Sequence, residues 1–211
     1  MAHCAVLSID GCGFRGRTQL LVLEELMTRM ASPDPVKRPC EVFDLIVGTA
    51  AGGLIAILLG RLGMHCGDAI KLKTIITRAL GPQANTLMFD PANKNGCNTL
   101  VTLVSQNAVT DKDAYRIRSY KDPKLIPDAQ PITGYIWKIW EAAIGTTSCP
   151  RLFSPPENPT AANPGSLFQA ANASGFSNPS MIAYIEALDL FGNNANITLY
   201  QPRDGTEKPG Q

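Results

Sequence analysis

Two short glycine-rich stretches hold the residues best placed to do chemistry: "DGCGFRG" at 10–16 and "GTAAGG" at 48–53. The first follows the apolar run "AVLSI" and precedes the amphipathic run "RTQLLVLEELMTRM", which puts its bare amides at a helix N-terminus. Amides so placed can hold a phosphate, or the negative oxygen that develops during acyl transfer. The second stretch joins apolar "FDLIV" to apolar "LIAILLG". Its small residues allow the sharp strand-to-helix bend that lifts a nucleophile above a sheet, as in a G-x-S-x-G elbow. The apex of this bend, however, is Ala50.

Each stretch has a plainer reading. "GCGFRG", Gly11–Gly16, satisfies the G-x-G-x-x-G pattern of dinucleotide-binding folds, but Asp10 would set a carboxylate beside the phosphates. The second strand also offers Gly48 where a ribose-binding acid is expected. "GTAAGG" alone is equally a close-packing turn between strand and helix. The two stretches on adjacent parallel strands are far more specific than either one.

The elements that must position them follow from periodicity. Residues 5–9 read as a strand, and 17–30 as a helix with Leu20, Leu23, Leu26, Met27 and Met30 at helical spacing. Phe43–Val47 reads as a second strand, followed by helices over 51–61 and 68–79. Strand, helix, strand in this order implies a parallel pair and an α/β sheet. Further on, 99–104 and 114–120 read as strands, 135–144 as a helix and 154–166 as a loop. A helix over 178–191 opens on Asn-Pro, and 195–200 is a late strand. One domain over 1–200 with a frayed polar tail over 201–211 is expected.

Composition narrows the partners. The chain has 211 residues, 45% hydrophobic and 18% charged, with a net charge of +1. That suits a globular domain and gives no global field that would draw nucleic acid. The six cysteines, Cys4, Cys12, Cys40, Cys66, Cys97 and Cys149, are scattered without a C-x-x-C pair, and His3 and His65 form no ligand set. Reduced thiols, no metal and no cofactor are expected. The start "MAHCAVLSID" lacks the features of a secretory signal, which points to the cytoplasm. Phe43–Gly60 approaches membrane-spanning length, but Asp44 and Gly48, Gly52 and Gly53 interrupt it.

Four segments in order now carry a resemblance. "DGCGFRG" resembles the D-G-G-G-x-R-G loop of patatin-like phospholipases, and "GTAAGG" their G-T-S-x-G-G elbow. "IWEAAIGTTSCPRLF", Ile139–Phe153, is similar to the family's I-W-E-A-A-R-A-T-S-A-A-P-x-x-F stretch, and "SNPSMIAYIEA" to its N-N-P-x-x-x-A-x-x-E-A helix. The resemblance implies a three-layer α/β/α fold with a largely parallel sheet. It implies a Ser–Asp dyad that hydrolyses acyl esters of phospholipids or other lipids, without metal or histidine. It also implies an oxyanion hole at Gly11, Cys12 and Gly13, supported by Asp10, Arg15, Gly48 and Gly52.

At the dyad the sequence departs. The nucleophile position falls on Ala50, whose methyl group has no lone pair, and neighbouring Thr49 lies off the apex. The base should precede the Asn-Pro helix, yet "FQAANASGFSNPS" contains no acid. Asn172 is the preferred match and Ala171 the alternative by spacing; neither can accept a proton as a carboxylate would. A deliberately disabled hydrolase and a natural pseudoenzyme that binds lipid or a partner both fit. Peripheral contact with a membrane stays open, as does the oligomeric state. Trp137 and Trp140 read first as core packing and second as an acyl-binding wall.

Overall fold

The structure is a computed structural model that describes residues 3–11, 16–31, 34–71, 81–90, 97–105, 115–122, 124, 137–148, 168–170 and 178–202. Its centre is a six-stranded sheet formed by β1 (His3–Ile9), β2 (Leu45–Thr49), β3 (Asn98–Ser105), β4 (Tyr115–Arg118), β5 (Phe168–Ala170) and β6 (Asn196–Tyr200). The main path runs β4-β3-β2-β1-β6, with β5 paired to β3. β1 pairs parallel with β2 and β6, and β2 parallel with β3; β4 and β5 run antiparallel to β3. The expected largely parallel sheet is present.

Side chains alternate across this sheet with the period of two that strands impose. Leu7, Ile9, Ile46, Val101 and Leu103 face one layer. There they pack against Leu20, Leu23 and Met27 of α1 (Gly16–Ala31), Ile55 of α2 (Ala51–Ala56) and Ile139, Ala142 and Ala143 of α4 (Ile139–Thr147). Cys4, Val6, Leu45, Val47 and Leu100 face the other layer, where Ala183 and Ala187 of α5 (Ser180–Phe191) close over them. Helices on both faces make the three-layer α/β/α arrangement. The periodicity of α1 holds for Leu20, Leu23 and Met27, whereas Met30 near its end is exposed.

Element boundaries shift where local chemistry overrides pattern. β2 runs Leu45–Thr49, two residues beyond the expected strand, so its last residues carry the turn. The helix expected over 51–61 divides into α2 and a π-helical segment, Ile57–Arg61, with the Leu62 amide bonding the Ile57 carbonyl at 2.9 Å. Gly60 lets this segment lie on β3, because a Cβ there would meet the Thr99 Oγ1 at 2.3 Å. α3 covers Cys66–Lys71, and the rest of the expected 68–79 helix lies outside the described residues. α4 begins at Ile139, so Trp137 precedes it; buried, it packs tilted against Tyr115 at 6.3 Å between ring centroids, in keeping with a core role.

The α5 layer also holds a buried ion cluster. Glu186 is fully buried, and its carboxylate accepts from Arg118 Nε at 2.5 Å and Nη2 at 3.0 Å, from Arg116 Nη1 at 3.2 Å and from the Tyr120 hydroxyl at 2.9 Å. Burial and the Glu186 carboxylate push the Tyr120 phenol above its ordinary range, so it stays a donor. Arg118 also reaches Asp122 at 2.9 Å. Four cysteines, Cys4, Cys40, Cys66 and Cys97, are buried free thiols. Burial, then the nearby Asp44 carboxylate, raises Cys4 to about 11; burial, then Glu24, raises Cys66 to about 12.

Candidate active site

The parallel register of β1 and β2 sets Ile9 opposite Gly48, so both strands end together at one edge of the sheet. There the chain leaves β2, bends at Ala50 and enters α2. Ala50 has φ 49° and ψ −124°, the only positive φ outside glycine among the described residues. A side chain there is strained by roughly 1–3 kcal/mol. The bend persists because its neighbours leave no other path. The Ala50 carbonyl accepts from the Gly53 amide at 2.9 Å and the Leu54 amide at 3.2 Å, which starts the helix directly at the bend.

Three glycines make this geometry possible. A Cβ on Gly48 would fall 2.1 Å from the Gly52 carbonyl oxygen, so strand and helix touch backbone to backbone. A Cβ on Gly52 would fall 2.2 Å from the Ile9 carbonyl oxygen and 2.6 Å from that of Asp10. This contact brings the two glycine stretches together, as the sequence suggests. A Cβ on Gly53 would fall 2.2 Å from Thr146 Oγ1, on α4. That hydroxyl has a single proton to share between the Ala50 carbonyl at 3.5 Å and the Thr102 carbonyl at 3.4 Å.

Asp10 serves as a brace. Its two carboxylate oxygens accept from Gln201 Nε2 at 2.9 and 2.8 Å, just beyond β6. Gln19 of α1 reaches the Pro202 carbonyl at 3.4 Å, so the first two residues of the tail expected to fray are hydrogen-bonded to the domain. Gln201 and Thr146 gave no signal in the sequence, because each acts through distant partners, 191 positions away for Gln201 and 96 and 44 for Thr146. Gly11 directly follows Asp10 at the described edge of the loop, while Cys12, Gly13 and Arg15 lie outside the described residues. Asn172 and Ala171 lie outside them as well.

The remaining candidates near the bend offer little chemistry. Ala50 is 5% exposed and presents a methyl group. Thr49 is fully buried in β2, in register with Thr102, and neither hydroxyl has a hydrogen-bond partner among the described residues. By alternation with Leu45 and Val47, Thr49 points into the α5 layer rather than to the apex. His3 hydrogen-bonds Thr198 at the opposite, amino end of β1, and His65 precedes α3. No group of three or more His, Cys, Asp or Glu side chains among the described residues could hold a metal ion.

Fold and bend together define a three-layer α/β protein built on a strand–elbow–helix unit. The family model described as patatin-like phospholipase matches residues 7–179, and the chain belongs to that family. The dinucleotide alternative for Gly11–Gly16 falls away with this membership. The chain is also 26% identical to the "Probable inactive patatin-like protein 9" of Arabidopsis thaliana, a match covering 74% of this chain and 48% of that protein. It thus spans about half the length of that relative.

Proposed function

We propose that this chain is a naturally inactive member of the family, which binds acyl lipid at the elbow and does not hydrolyse it. The observation that carries this reading is Ala50 held at φ 49°. In a dyad hydrolase the serine at this point attacks the ester carbonyl, the base takes its proton, and amides of the first glycine loop receive the oxyanion. Here Ala50 supplies no electron pair, and Asn172, or Ala171 in the alternative alignment, supplies no carboxylate base. The bend, the glycine contacts and the Asp10 brace nonetheless hold the form such chemistry would need. The relative whose name calls it inactive supports a natural loss over a deliberate one.

A paired assay tests this. A soluble fluorescent fatty acid should bind the purified protein, while fatty-acid release from lysophospholipid stays at background. Release by the unmodified chain, or no probe binding at all, overturns the proposal. Release regained by the double variant Ala50→Ser with Asn172→Asp would instead mark a hydrolase disabled at two positions.

A further inference from the structure

Among the described residues, the outward face of α5 is an unpartnered apolar stripe. Met181 is 69% exposed, Tyr184 45% and Ile185 36%, and Leu188 continues the row at the next turn. These positions follow the i, i+3, i+4, i+7 spacing of a single helix face. The helix is not simply short of charge: its two acidic residues are turned away. Glu186 is buried against Arg116 and Arg118, and Asp189 pairs with Lys124 at 2.9 Å. No charged side chain of α5 is therefore left on the outward face.

The helix also stands in a telling place. Ser180 at its start hydrogen-bonds Ser8 at 3.1 Å, near the carboxyl end of β1. Met181 consequently lies at the same edge of the sheet as the Ala50 bend. We infer that the Met181–Tyr184–Ile185–Leu188 face of α5 rests on an uncharged or zwitterionic lipid surface, which presents acyl chains to that edge. The inference rests on the acyl-lipid reading of the elbow.

Three arguments select this occupant. A face without charge has nothing to gain from anionic headgroups, whereas apolar side chains and a tyrosine suit the boundary between headgroups and acyl chains. A stable pair of copies needs about 800 Å² from each partner, far more than one stripe of four side chains supplies. No described helix is long and apolar enough to cross a membrane, so the contact is one of lying on the surface.

The test is sedimentation of the purified protein with phosphatidylcholine vesicles. Met181→Glu and Ile185→Glu, both at exposed positions, should each lower vesicle partitioning by about tenfold while the circular dichroism spectrum is kept. Partitioning of the unmodified protein should hardly change between about 0.05 and 0.5 M salt, since screening acts on charges. Binding of the soluble fatty-acid probe should be equal in all three proteins. If that probe fails to bind while vesicle partitioning persists, the elbow reading fails and the docking face stands. Equal partitioning of the variants and the unmodified protein overturns the inference. So does a requirement for anionic lipid, or light scattering that shows a dimer which Met181→Glu dissociates.

Discussion

The elbow around Ala50 and the cluster around Glu186 are held by opposite means. The bend itself is set by missing atoms rather than by charge, with Gly48, Gly52 and Gly53 each lying where a Cβ would meet another atom within 2.2 Å. In the cluster, shape matters less than charge, because a fully buried carboxylate is balanced by two guanidinium groups and a phenol. Shape made from such close contacts does not depend on which side chain stands at the apex, since the Ala50 methyl is in none of them. A charge cluster has no such independence: each member keeps the others tolerable in the interior.

Substitutions in the two regions would break or sharpen this contrast. Glu186→Leu leaves Arg118 and Arg116 facing an apolar layer. Because both arginines keep partial access to solvent, at 15% and 26%, the expected loss is near the low end for a broken buried pair. That is about 3 kcal/mol, or a fall of about 6–12 °C in Tm, read by thermal denaturation. A loss below about 1 kcal/mol would show that the cluster is not electrostatically coupled.

Next, Gly52→Ala should destabilise by about 2–3 kcal/mol, with no side-chain change able to rescue it, because the clash is with the Ile9 and Asp10 carbonyls. Gly53→Ala meets the Thr146 side chain instead, so Thr146→Ala in the same molecule should recover about 1 kcal/mol. Equal behaviour of the two glycines in urea unfolding would refute the backbone-contact account of the elbow.

The smallest effect is a gain. Ala50→Gly removes the positive-φ strain but loosens the unfolded chain, for a net stabilisation of about 1 kcal/mol and a rise in Tm of about 2–4 °C. A destabilised Ala50→Gly would mean that the methyl group packs favourably enough to outweigh its strain.

Much of the fold was legible because it is written in short-range pattern. Short apolar or β-branched runs marked β1 and β3, helical spacing marked α1, and the flanking glycines marked both bends. The meeting of the bends followed from parallel order, and the Gly52 contact with Ile9 and Asp10 bears it out. What escaped depends on contacts between distant positions. Arg116 and Arg118 look like the outward residues of an ordinary strand until Glu186, 70 and 68 positions later, is packed beneath them. Gln201 looks like the first residue of a tail until Asp10 is beside it. The π-helical stretch Ile57–Arg61 escaped for a different reason: hydrogen bonds that close one residue further on leave a mostly apolar run looking the same.

The bond between Asp10 and Gln201 also constrains the order of assembly on the ribosome. β1 is synthesised well before its outer neighbour β6, and the amide that steadies Asp10 lies 191 positions beyond it. An emerging chain can form the β1–α1–β2 unit early, but the loop after β1 gains its hydrogen bonds from Gln201 only once residue 201 has cleared the exit tunnel. Any version of this protein truncated before Gln201 would carry a complete elbow beside a loop that had lost this anchor.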